Sequence, residues 1–284
     1  MLAHYPNLTT TEQHLVKLGA LLWETTLHTK IAEIFNASIP TGKGINPISS
    51  PLTKINLAKL VEIGYFIDQK AGQYRINTAF ADLFCEQNWH TDDELRLLIM
   101  PIQNRTPLYF NYNYNSSIAG DRHFRDMRFA YFQGMIDPFK ENFRQVALSN
   151  LKSWGDLLDY YLPKNFDLEK LEFAFSRIRA YLLCEKLKVT LNYLSSVDGY
   201  YYYAIEQITA FDPRDKSLLA QTILQLAILR GEYEVIEKLK EHAVESYQMF
   251  IKAWLSFQQA RDQNQVIDAL AFSTRIPRVE RTDE

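Results

Sequence analysis

The sequence predicts a mainly α-helical fold with one small β-hairpin. Three observations predict it. Apolar residues recur at three- and four-residue intervals through most of the 284-residue chain, the period of helices with one buried side. One stretch, Leu52–Asn77, leaves that period for two strand-like runs, Tyr65-Phe66-Ile67 and Gln73-Tyr74-Arg75-Ile76, joined by Lys70-Ala71-Gly72. Near the end, Glu234-Val235-Ile236-Glu237-Lys238-Leu239 aligns with Gln265-Val266-Ile267-Asp268-Ala269-Leu270 at an offset of 31 residues, a period of stacked helical hairpins.

Thr9, Thr10 and Thr11 offer an N-cap before Glu12, and Leu15, Leu18 and Leu22 follow at helical spacing, so a helix is expected over about 11–25. A second is expected over about 27–36, with Ile31, Ile34 and Phe35 on one side. The run PTGKGINPISSP reads as a loop. Ser50 and Pro51 start a third helix, because Ser caps and Pro fits the first turn. Leu52, Ile55, Leu60 and Ile63 are its expected buried stripe, with Leu57 and Val61 at the edge and Gly64 as a left-handed stop. After the hairpin, Asn77 or Thr78 caps a helix through Phe80, Leu83 and Phe84.

Helix, helix, helix, hairpin, helix in the first ninety residues resembles the winged helix-turn-helix superfamily. Leu57, Leu60, Gly64 and Tyr65, then Tyr74-Arg75-Ile76-Asn77, carry the resemblance, which covers about a third of the chain. It implies a third helix that enters the major groove and a hairpin that touches phosphates. The nucleic-acid-binding residues would be Thr53, Lys54, Asn56 and Lys59 of that helix, Lys70 and Arg75 of the wing, and Lys43 of the preceding loop. Asn and Lys read base edges and Thr reaches phosphate. Charge argues the other way. The chain carries a formal net charge of -3, and residues 1–90 hold seven Lys plus Arg against seven Asp plus Glu. Bulk attraction to a phosphate backbone is therefore excluded, and any DNA or RNA contact must be local.

Asp92-Asp93-Glu94 opens a short helix that Pro101 is expected to end. The Asn- and Tyr-rich run NRTPLYFNYNYNSS has no helical period and marks a domain boundary in or just before it. A helical stretch over about 121–151 follows, with an expected break at Asp137-Pro138. Within it Arg122, Arg125 and Arg128 share one side. With Tyr109, Tyr112 and Tyr114 they form a second candidate basic strip, one that would track a backbone and stack on bases. The competing reading is a solvated helix face whose arginines pair with Asp121, Asp126 and Glu141.

Asp167 caps a long helix expected to reach about Ser195. Further helices are expected from the Tyr200–Tyr203 cluster, over Ser217–Leu229, over Glu232–His242 and beyond Ser246. The turn Arg230-Gly231-Glu232-Tyr233 is similar to the Gly-Asp-Tyr turn of tetratricopeptide repeats, although that family's Trp and Gly positions in the first helix are missing. The domains expected are a winged helix over 1–90, a connecting helical region over 91–150, and a helical-hairpin array over 151–284. The pattern stops on an apolar helix and a charged tail rather than a polar cap, as in the N-terminal piece of a longer protein.

Signs of chemistry are sparse. Thr41-Gly42-Lys43-Gly44 lacks the full phosphate-loop spacing and its hydroxyl. His4, His14, His28, His90, His123 and His242 are scattered, and no nucleophile turn occurs. Cys85 and Cys184 sit inside apolar patterns and read as buried thiols in a reducing compartment. The N-terminus has no charged leader before an apolar core, and no run approaches the ~18 apolar residues of a membrane span, so a cytoplasmic address is expected. No catalytic residue, metal or cofactor is expected. The sequence thus reads as a non-catalytic regulatory or recruitment module, the winged helix contacting nucleic acid and the array contacting protein. The alternative is a pure protein-interaction scaffold whose winged helix serves packing or self-association.

Overall fold

Thr9 opens the first helix, α1 (Thr10–Leu22), with a capping box: its hydroxyl accepts from Glu12 N–H, and the Glu12 carboxylate accepts from Thr9 N–H at 2.9 Å. The structure is a computed structural model and describes residues 2–39, 44–108, 116–149, 152–193 and 198–259. The chain divides into two compact units, Met1–Leu157 and Leu158–Glu284. It is mainly helical, with one small three-stranded antiparallel sheet.

In the first unit α1 is followed by β1 (Thr26–Leu27), α2 (His28–Ala37), α3 (Ser50–Glu62), β2 (Phe66–Asp68), β3 (Gln73–Ile76), α4 (Thr78–Asn88), α5 (Asp93–Arg105), α6 (Ser116–Gln133) and α7 (Ile136–Leu148). The helix α1 is its centre. Leu15, Val16, Leu18 and Leu21 are fully buried, and α1 packs against α2, α3, α4, α5, α6 and β3. The sheet order is β1-β3-β2, with Thr26 opposite Tyr74 and Ile67 opposite Arg75. The two-residue strand β1 has no counterpart in the sequence reading, because so short a run carries no period.

One position sets the spacing of helix and sheet. A Cβ on Gly19 would lie 2.4 Å from Cζ of the Phe66 ring, and Phe66 is itself buried. Alanine favours a helix interior by up to about 1 kcal/mol over glycine, but here the Phe66 ring must shift to make room. Gly19→Ala is expected to lower stability by about 1–3 kcal/mol, read as a shifted denaturant midpoint at unchanged slope. An unchanged or raised midpoint would mean that α1 and β2 separate freely.

Several expected boundaries move. Ser49, not Ser50, caps α3, with Pro51 in the first turn. The helix α5 runs through Pro101 rather than ending there; the carbonyl that loses its partner is that of Leu97, on the exposed side of the helix where water can bond it. The break between α6 and α7 falls at Gly134, whose φ of 70° a glycine adopts freely. Pro138 sits in the first turn of α7 and does not interrupt it.

The second unit contains the end of α8 (Trp154–Tyr161), then α9 (Leu168–Phe173), α10 (Ser176–Tyr193), α11 (Asp198–Gln207), α12 (Pro213–Arg230), α13 (Tyr233–Leu239) and α14 (Glu245–Gln259). The long helix expected from Asp167 is two helices. Asp167 caps α9 as expected, but the chain extends at Ala174 before α10. The Arg179 guanidinium holds this break by donating to the carbonyls of Glu172 and Ala174, at 2.8 and 3.0 Å. Leu182, Leu183, Leu187, Leu219, Ile223 and Leu224 form the core between α10 and α12. Lys186 is buried beside them; its ammonium donates to Asp159 at 2.6 Å and to the Leu162 carbonyl at 2.9 Å. Gly231 ends α12 in the left-handed region at φ 71°. The second copy of the 31-residue repeat lies outside the described residues.

Candidate interaction surface

The surface is built on α3 and the hairpin that follows it. Gly64, at φ 95°, lets the chain leave α3 and enter β2 at once. The turn after β2 holds Lys70, Ala71 and Gly72 at φ 75°, 51° and 73°. Asp68 braces it by accepting from Lys70 N–H at 2.8 Å. The His28 backbone N–H and its Nδ1–H both donate to the Gly72 carbonyl at 3.0 Å, which ties the turn to the start of α2.

The inward and outward sides of α3 differ from expectation. Thr53, Leu57 and Leu60 are fully buried, while Leu52, Ile55 and Ile63 are 44%, 56% and 43% exposed. Positions 53, 57 and 60 form one stripe at helical spacing; position 55 falls opposite it, and positions 52 and 63 lie together on one flank. Thr53 tolerates burial because its hydroxyl donates to the Ser49 carbonyl at 3.0 Å. Thr53 is therefore not an outward contact residue, and Leu52, Ile55 and Ile63 are not the buried stripe. Lys54, Lys59 and Lys70 are exposed and Asn56 is half-buried. Arg75 is half-buried, and its Nε is enclosed without a hydrogen-bond partner. Lys43 lies outside the described residues.

The second basic strip is not a surface. Arg125 is fully buried and Arg128 is 1% exposed. Arg125 donates to Asp126 at 2.8 Å, to the Thr106 hydroxyl at 2.6 Å and to the Thr106 carbonyl at 3.0 Å, and it lies 3.7 Å from Glu24. Arg122 donates to Glu24 at 3.0 Å and to the Pro107 carbonyl at 2.8 Å. Arg128 pairs with Asp82 at 3.0 Å, donates to the Ala20 carbonyl at 3.1 Å and stacks 4.2 Å from the Trp23 ring. Together these arginines clamp α6 to the ends of α1 and α5 and to α4. Burial pushes the Glu24 carboxyl up, and Arg125 and Arg122 oppose that shift. The partners Glu24 and Asp82 escaped the sequence reading. A signal was present: Phe124, Met127, Phe129 and Phe132 are interleaved with the arginines and spread round more than one side of α6, the pattern of a helix buried on most sides. Tyr109, Tyr112 and Tyr114 lie outside the described residues.

Other chemistry is confined. Cys85 and Cys184 are free and buried, and burial raises the Cys85 thiol to about 11, which keeps it protonated and unreactive. Among the described residues no three His, Cys, Asp or Glu side chains gather to hold a metal ion, and no helix is long and apolar enough to cross a membrane. A small cavity lined by Leu18, Leu22, Ile31, Phe66 and Tyr74, with Glu24 in its wall, is far below ligand size. In the second unit, Tyr201 donates to Glu232 at 2.7 Å, and Arg230 pairs with Asp198 at 2.8 Å over the Tyr201 ring. This cluster braces the turn at Gly231. No family model, no curated protein and no solved structure matches the chain.

Proposed function

We propose that the chain is a non-catalytic recruitment module that binds protein partners through an N-terminal winged helix-turn-helix and a C-terminal array of helical hairpins. The succession of α1, α2, α3, hairpin and α4, with β1 completing the sheet, supports the winged-helix reading. The packing of α10, α11, α12 and α13 on one another, with a left-handed Gly231 turn, supports the array. The single observation that carries the function is the outward side of α3. It presents Leu52, Ile55 and Ile63 to solvent, where a nucleic-acid reader needs donors and cations.

The nucleic-acid reading rests on Lys54, Lys59 and Lys70, which are exposed. Three phosphate contacts would contribute a salt slope of only about -3 and little affinity. Titration of labelled duplex and single-stranded DNA at two salt concentrations tests the choice. Binding no tighter than ~10⁻⁴ M at low salt is expected. Tighter, salt-dependent binding that disappears in Lys54→Glu with Lys59→Glu would overturn the protein-binding reading.

A further inference from the structure

Trp23 is a strained point of the first unit. It ends α1 at φ 61° and ψ -37°, and the Glu24 N–H donates back to the Leu22 carbonyl at 2.6 Å. That is a γ-turn of the rare, strained form. A bulky L residue stays at this positive φ only where its surroundings hold it there. Here the surroundings belong to α6. Arg128 stacks 4.2 Å from the Trp23 ring, and the Phe124 ring lies 5.2 Å away. Arg122 holds the Glu24 carboxylate at 3.0 Å and Arg125 faces it at 3.7 Å. The strand β1 follows directly, and the Thr26 hydroxyl donates to the Glu24 carbonyl at 3.2 Å.

We infer that this turn is a sprung latch by which α6 holds β1 in the sheet, so that the third strand depends on a helix outside residues 1–90. Leu22 is fixed by its burial in α1, and Glu24 is fixed by the arginines of α6. Trp23 must span the two in its strained form. Once α6 lets Glu24 go, Trp23 returns to negative φ, the turn opens, and Thr26 is drawn away from Tyr74. A two-residue strand has few bonds with which to resist. The His28 N–H donates to the Gly72 carbonyl, and bonding alternates along an antiparallel pair, so Thr26 and Tyr74 exchange both of their backbone bonds. The hairpin itself is bonded separately. Asn77 N–H donates to the Tyr65 carbonyl and Gln69 N–H to the Gln73 carbonyl, so Ile67 and Arg75 exchange theirs. The amides of Thr26 and Tyr74 therefore report on β1, and those of Ile67 and Arg75 on the hairpin. Because His28 follows β1 and ties down Gly72, a displacement of α6 is passed on to the hairpin turn. The latch acts whatever α3 binds.

Native-state hydrogen exchange of the whole chain, read by nuclear magnetic resonance, tests this. In wild type the Thr26 and Tyr74 amides are expected to be protected. Trp23 should show the close approach of its own N–H and Cα–H that positive φ produces. Glu24→Gln keeps the size of the side chain and removes the charge that the arginines grip. It should speed exchange at Thr26 and Tyr74 on the order of tenfold more than at Ile67 and Arg75, as local opening does, and it should weaken the Trp23 contact. Arg122→Gln loosens the same grip from the rim of the cluster, where Arg122 is 16% exposed, and should act likewise even if the Glu24 variant fails to fold. Equal acceleration at both pairs of amides would mean a general loss of stability and would overturn the latch. So would no acceleration at either pair, unprotected Thr26 and Tyr74 in wild type, or a wild-type Trp23 at negative φ.

Discussion

Arg125→Met is expected to destabilise the first unit by about 3–5 kcal/mol, because it leaves a buried carboxylate without its cation. Asp126 is buried and loses the guanidinium it meets at 2.8 Å, while buried Glu24 loses the longer contact at 3.7 Å and keeps Arg122 at 3.0 Å. The Thr106 carbonyl and hydroxyl lose their donors as well. Whole domains are stable by only about 5–15 kcal/mol, so this loss is a large fraction of the total. In a thermal melt it should appear as a drop on the order of 10 °C in the transition of the first unit. Arg125→Lys is expected to recover only part, since an ammonium cannot donate to Asp126 and to both Thr106 oxygens in the fork geometry of a guanidinium. Adding Asp126→Asn to Arg125→Met should return some stability by removing the orphaned charge. Arg144, which is exposed on α7, provides the contrast: Arg144→Ala should fall within about 0.5 kcal/mol of wild type. If Arg125→Met behaved like Arg144→Ala, the arginine clamp would hold nothing.

Acid is expected to weaken the same unit through His14. This side chain is buried between α1 and α2, edge-on to Phe35 at 4.9 Å. Ser38 gives its hydroxyl proton to the Phe35 carbonyl at 2.9 Å and so accepts from His14 Nε2–H, also at 2.9 Å. The remaining nitrogen, Nδ1, is enclosed without a partner, so a proton added there would carry an unsolvated, unbonded charge. Burial accordingly lowers the imidazole to about 4, with Glu94 opposing the shift and Lys17 adding to it. The unfolded chain takes up the proton near the ordinary value of about 6.5. Above that pH neither state is protonated and the full stability is present. As pH falls from about 6.5 to about 4 only the unfolded state gains a proton, and up to about 3 kcal/mol is lost. His14→Gln keeps an N–H for Ser38 and cannot titrate. Subtracting its pH profile of unfolding free energy from that of wild type should isolate this slope from the carboxylates. A flat difference between pH 6.5 and 4 would show that His14 charges without cost.

Much of the local structure was legible because its causes lie within a few residues. Thr9, Asn77 and Asp167 cap helices because each side chain reaches the backbone N–H three positions on. Gly64 and Gly231 end helices because each takes a positive φ that a Cβ resists. The hairpin turn was legible too, down to Lys70-Ala71-Gly72. Pro101 misled, since its cost depends on whether solvent can reach the carbonyl of Leu97. The sides of α3 were not legible: Thr53, expected outside, is inside, and Ile55, expected inside, is outside.

By itself, then, the sequence determined where most of the helices and the hairpin lie, that the fold is mainly helical, and that the charge of residues 1–90 is balanced. Only the tertiary structure decided which side of α3 faces in and what the arginines of α6 do. Both sides of α3 carry apolar residues, so helical period alone leaves two solutions, and packing against the rest of the first unit selects between them. The arginines meet partners far along the chain, Glu24 at a separation of 98 residues from Arg122 and Ala20 at 108 from Arg128. A buried cation and a solvated one look alike in one dimension, because what distinguishes them is the desolvated carboxylate that the fold brings alongside.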